Sequence, residues 1–266
     1  MNIYLRELRA NWKSLLFWCI GILAMVGGGM GKYAGFAASD KAAFEILDML
    51  PKPVLALFGM NGIDASTASG FYAIIYFLML IMAGIHATML GAGIISKEER
   101  DKTSEFLFVR PVSRVSVITS KILAALTVVL LFNLATLVIS LGLASKVAAN
   151  EPNLPRDIFV LMVAMLILQI MFLFIGTSFA GIWKRPDASA GAATTFMIGT
   201  YVLSVFIDIS DTFNFLKYLT PFKYFEAKTL INGGSFEPVF LILSALLTGA
   251  FIGVTYYSFP RRDLYI

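Results

Sequence analysis

Few side chains in this sequence can do acid–base, nucleophilic or metal chemistry, and they are not spaced for any of the three. The chain has 1 histidine, His86, and 1 cysteine, Cys19, so it cannot by itself assemble a His/Cys metal site, a Cys–His dyad or an internal disulfide. Its serines have no histidine in a water-accessible loop to activate them, which argues against a serine triad. No GxxxxGK[ST] phosphate loop occurs: Gly31 and Lys32 are followed by Tyr33, and the upstream glycines are misplaced. What remains is a small set of polar groups inside long apolar runs, namely His86, Asn133 and Gln169. An ionisable group at the centre of a membrane helix costs about 2.5–3.5 kcal/mol on insertion scales. His86 is therefore the main candidate pore group, with the uncharged but polar Asn133 and Gln169 as further candidates, and the competing reading for all three is hydrogen bonding between neighbouring helices. Carboxylates are missing from the central turns of the second, third, fourth and sixth runs, which speaks against a proton- or sodium-driven carrier.

The elements that would carry these residues are read from composition. Of 266 residues, 58% are hydrophobic and only 14% charged, more apolar surface than a soluble fold of this length covers. The apolar runs span 14–31, 71–95, 122–144, 158–182, 188–207 and 238–259. Each approaches or crosses a hydrocarbon core of about 30 Å, and runs without strict alternation mean helices rather than barrel strands. The expected fold is all-α, a six-helix polytopic bundle forming a single domain over 1–266. With the leader in the cytosol, 13 of the 21 lysines and arginines fall on the cytosolic side, so both termini are expected there. The net charge of +4 is explained by this bias and points to no nucleic-acid partner. Trp12, Trp18, Trp183, Tyr256 and Tyr257 sit at the cytosolic boundary, and Phe71, Tyr72 and Tyr76 mark the outer one. Residues 1–13 read as an interfacial helix leading into an uncleaved anchor rather than a cleaved leader.

Small residues cluster at Gly27, Gly28, Gly29 and Gly31, at Ala83, Ala87 and Gly91, and around Gly191. Such stripes allow close helix approach. They suit either a dimer or gate interface or ordinary packing within the chain. Outside, the segments 39–60 and 213–231 are apolar and aromatic and read as interfacial or re-entrant helices.

The largest cytosolic loop, ISKEERDKTSEFLFVRPVSRVSVITSK from Ile94 to Lys121, is charged and then abruptly apolar. Ser96 with Glu99 has the form of a capping box, and Pro111 ends whatever helix follows. Phe106 and Leu107 are left to anchor in headgroups or in a groove on a partner, while Glu98, Glu99, Asp101 and Glu105 offer charge complementarity.

This loop resembles the signature of ABC-2 type permeases, in the residues Glu98, Glu99, Thr103, Glu105, Phe106, Leu107, Pro111, Val112, Ser113, Arg114 and Lys121. Tyr218 to Phe225 (YLTPFKYF) and Arg261 to Leu264 (RRDL) are similar to members related to bacitracin-type exporters. One departure is Lys102, where the family commonly has glycine. The resemblance implies a coupling helix near 97–110 that docks on a separate ATP-binding subunit, present in two copies, with a second permease copy or related permease completing the pore. Glu98, Glu99, Thr103, Glu105, Phe106, Leu107, Pro111 and Arg114 are the residues it assigns to coupling. No catalysis or cofactor is expected on this chain, ATP and magnesium belonging to the partner. The function implied is ATP-driven export of an amphiphilic substrate, such as a drug, an antimicrobial peptide or a lipid-linked compound, across a bacterial or archaeal cytoplasmic membrane. The rival classes are a non-transporting interaction or immunity protein, which would act without an ATPase, and a membrane-embedded lipid enzyme, which would need a polar cluster at the interface.

Overall fold

The computed structural model describes residues 3–38, 49–102, 113–149, 151–183 and 185–261, apart from the side chains of Asp187 and Asp211. Its six long helices are α1 (Ile3–Ala38), α2 (Ala68–Arg100), α3 (Arg114–Val147), α4 (Leu154–Ile182), α5 (Pro186–Ile209) and α6 (Pro238–Arg261). All six are long and apolar enough to cross a membrane, and no strand occurs among the described residues. The protein is a polytopic all-α membrane protein. Short helical turns at Lys52–Leu57, Asp211–Leu219, Pro221–Lys223 and Ala227–Leu230 gather at the end of the bundle away from the start of α1.

The helices outrun the apolar windows, and the differences have local causes. α1 is one unbroken helix of 36 residues, so the leader runs into the first span without a break. Its MNIYLRELRANWK stretch holds no glycine or proline, and nothing interrupts helix propagation into the apolar run. α2 likewise continues to Arg100. Ser96 lies inside it, donating to the Ala92 carbonyl at 2.8 Å, and does not cap a new helix. The cap falls later, at Ser113, whose side chain accepts from the Ser116 amide at 3.2 Å and starts α3. Lys97 to Arg100 therefore form the last turn of α2.

Close approach of α2 and α4 organises the core. A Cβ built on Gly91 would stand 2.1 Å from the Leu173 carbonyl oxygen, and one on Gly176 would stand 2.3 Å from that of Thr88. The two glycines face each other's helix reciprocally, and only their missing side chains permit backbone contact. Ala83 and Ala87, on the same helix, are fully buried. These three small residues of α2 are thus consumed inside the chain and are not free to form a dimer interface. Gly31 and Gly191, by contrast, have nothing within 4 Å, and Gly27 meets only Leu143 at 3.7 Å. Gly91→Ala is expected to destabilise the protein by about 1–3 kcal/mol through overpacking, seen as a lower melting temperature in detergent, whereas Gly31→Ala, with open space around it, should not lower stability and by helix propensity should raise it by up to about 1 kcal/mol.

Burial of α2 also corrects the aromatic reading. Tyr72 and Tyr76 are fully enclosed by the bundle, so they are core residues and not part of a boundary belt. A central helix turns its aromatic face inward wherever neighbours surround it. Asn133 does act between helices: its amide donates to the Met162 carbonyl at 3.1 Å and to Gln169 Oε1 at 3.2 Å, joining α3 to α4.

Candidate coupling site

At the end of the bundle where α1 begins, five charged side chains from three helices meet. Arg6 donates to Glu7 at 2.8 Å and to Glu98 at 2.7 Å. Lys97 lies 3.5 Å from the other oxygen of Glu7. Lys121 pairs with Glu98 and donates to the Ile94 carbonyl at 2.6 Å. The chain of charges runs Lys97, Glu7, Arg6, Glu98, Lys121, alternating in sign. Glu7, Glu98 and Lys121 are buried, at 0%, 6% and 1% exposure. Ions so poorly hydrated persist only with partners of opposite sign, so the three helix ends are held in one register.

The same end carries a second tie. Arg114, the first residue of α3, donates to the Pro260 carbonyl at 3.0 Å in the last turn of α6, and Thr119 and Tyr256 hydroxyls meet at 2.9 Å. Both margins of the 101–113 stretch are therefore anchored, on one side through Glu98 and on the other through Arg114. Thr103, Glu105, Phe106, Leu107 and Pro111 lie outside the described residues. Glu98 and Glu99 are buried at the end of α2, and the Glu98 carboxylate is occupied by Arg6 and Lys121 of its own chain, so it holds the root of the loop in place and does not stand out from the surface as a free anion.

Lys102 explains its own departure from glycine. Just past the Asp101 cap it adopts φ +53°, the left-handed conformation that favours glycine after a helix. Lys102→Gly is expected to raise stability by about 1 kcal/mol by removing that strain, measurable as an upward shift in melting temperature with the rest of the loop intact.

Above the charged cluster a cavity of ≈300 Å³ extends from Glu7 and Lys97 past Trp18 to His86. His86 does not bond to a neighbouring helix through Nδ1, which is buried without a partner. Its ring is instead sandwiched by Phe132, with centroids 4.8 Å apart, and Trp18 at 5.4 Å. Of the polar groups singled out for a pore, only His86 lines this cavity.

No cluster of three metal-binding side chains occurs among the described residues. The charged groups at this end join α1, α2 and α3 in one ion-paired cluster. A family model described as ABC-2 family transporter protein matches residues 1–264. The chain belongs to that family. It is a transmembrane transporter subunit of the multi-pass, ABC-2 permease type, and membership implies an ATP-binding subunit as partner. No curated protein matches the permease.

A second charged group lies at the far end of the permease. Lys223 pairs with Asp208 and with Glu226, and Lys228 reaches the other Glu226 oxygen at 2.9 Å. Burial raises the Glu226 carboxyl, but Lys223 and Lys228 beside it more than offset this and hold it below the ordinary glutamate range. Sequence reasoning missed both clusters. The signal present was a charge set in an apolar context: Lys121 in VITSKILAA, Lys223 in TPFKYF. Such a residue demands a partner, but the sequence does not name one that lies on another helix.

Proposed function

We propose that this permease is half of an ATP-driven exporter of an amphiphilic compound, working by alternating access. Two ATP-binding subunits carrying ATP and magnesium would dock against the 97–114 stretch, and a second permease copy or a related permease would complete the pore. Both termini then face the cytosol of a bacterial or archaeal cell. The observation that supports this reading best is the buried ion chain from Lys97 to Lys121. It joins the root of the docking loop to α1 and α3, so a displacement of the loop by nucleotide-driven closure moves three helix ends together instead of bending one. The cavity leading from that junction to His86 supplies a cytosolic opening for substrate. The open glycine face of α1, Gly31 above all, and Gly191 on α5 are where a second permease would pack.

The test is co-expression with the ATPase encoded beside this gene, copurification, and ATP hydrolysis measured in liposomes. Copurification with hydrolysis altered by the permease is the expected result. Stable isolation without any ATPase, together with a phenotype conferred by this chain alone, would favour the interaction or immunity reading and end the transport proposal.

A further inference from the structure

Two cavities meet at the far end of the bundle across one charged wall. The larger, ≈460 Å³, is a polar vestibule whose lining includes Lys52, Lys217, Asn214 and Glu237. The smaller, ≈30 Å³, is a narrow cleft that runs between α2 and α5 into the apolar core, past Tyr76, Phe77, Leu80, Phe222 and Phe225. Asn61, Asp208, Lys223, Glu226 and Lys228 line both.

The charges of the wall are satisfied among themselves, since Lys223 holds Asp208 and Glu226, and Lys228 holds Glu226. The rim is different. Lys52 and Lys217 have no carboxylate partner among the described residues, and Lys217 stands over the Tyr218 ring at 5.3 Å. Against these two cations the described lining of the rim sets one carboxylate, Glu237, so its uncommitted charge is positive. Inside the cleft the Tyr76 hydroxyl is fully buried with no hydrogen-bond partner among the described residues, a polar group left unmet among aromatic side chains.

We infer that this double cavity is a binding site for an anionic amphiphile: a phosphate-bearing headgroup seated between Lys52 and Lys217, with its apolar chain entering the cleft past Tyr76. The volumes set the order of events. A vestibule of ≈460 Å³ accepts a headgroup as it stands, whereas a cleft of ≈30 Å³ holds little more than a water or two. Chain entry therefore requires the ion-paired wall to part, which makes Lys223 the latch between headgroup and tail compartments. The inference gives a headgroup chemistry to the amphiphile of the export reading and rests on it for its role in transport, but binding itself requires only the permease.

The experiment uses the purified full-length permease in phosphatidylcholine nanodiscs containing a trace of photoactivatable phosphatidylglycerol, with labelled peptides mapped by mass spectrometry. Labelling is expected at residues 52–80 and 214–240, competed by unlabelled phosphatidylglycerol and not by sodium phosphate. The Lys52→Gln/Lys217→Gln pair, which leaves the core untouched, is expected to reduce it about thirtyfold, each cation near a headgroup contributing roughly 1 kcal/mol. A phosphatidylcholine photoprobe of equal chain length should label to the same low level in both proteins. Equal labelling by the two probes, or labelling unchanged in the double variant, would overturn the inference; competition by sodium phosphate would reassign the vestibule to small anions and overturn it too. Failure of ATPase copurification leaves these outcomes unaffected, so the two proposals fail separately.

Discussion

Lys121→Met is expected to destabilise the permease by about 3–5 kcal/mol, the cost of removing one partner from a buried ion pair. Lys121 is 1% exposed, two turns into α3, and its ammonium meets the Glu98 carboxylate and the Ile94 carbonyl. Methionine keeps the length and apolar stem but removes the cation that Lys121 sets against Glu98, and Arg6, which also pairs with Glu98, is already shared with Glu7. Glu98 lies in a poorly hydrated pocket and cannot recruit water to make up the loss. The double variant Lys121→Met/Glu98→Gln should lose less than the sum of the two single changes, because the second change removes the stranded charge; couplings of about 0.5–3 kcal/mol are typical of such contacts. Thermal unfolding in detergent reads all four proteins. A Lys121→Met protein that melts with wild type, or singles that add without coupling, would remove the network from the junction.

Phe106→Asp is expected to leave the melting temperature of the bundle unchanged and to weaken copurification of the ATP-binding subunit more than tenfold, with matching loss of transport-coupled hydrolysis. The reasoning is that of interface anchors: an aromatic side chain seated in a partner's pocket commonly contributes 2 kcal/mol or more, and a carboxylate in its place must be desolvated without a partner. The two variants separate the two halves of the junction. On the proposed coupling, Lys121→Met would weaken the lever inside the permease and Phe106→Asp would detach what pushes it. Association and transport unchanged in Phe106→Asp would take the docking role from this loop.

The six spans were legible from composition because each is an uninterrupted apolar run, and lipid allows such a run only one local structure. Their ends were not. α1 and α2 extend through charged residues, Arg6 to Lys13 and Lys97 to Arg100, since hydrophobicity marks where a helix meets lipid and not where its hydrogen bonding stops. The family motif was equally readable, yet the work of its residues was only partly so. Glu98 reads as an exposed anion in a charged loop, and the structure buries it against Arg6, 92 residues away in sequence. Small residues carried a similar ambiguity. Gly91 and Gly31 look alike as letters, but one is pressed against the Leu173 carbonyl and the other faces open space. Lys102 is the reverse case: the sequence shows only a departure from the family's glycine, and the structure shows that the position has a left-handed backbone.

The docking of a separate ATPase at the loop between α2 and α3 is tested most directly by site-specific crosslinking. In a Cys19→Ser background, single cysteines are placed by Phe106→Cys and by Phe215→Cys, the latter at a 69% exposed position at the far end of the bundle. Membranes containing the permease and its ATPase are then treated with a short thiol-to-amine crosslinker. A permease–ATPase adduct from position 106 and none from position 215 is the expected result. An adduct from position 215 alone, or copurification of the ATPase with no adduct from position 106, would contradict it.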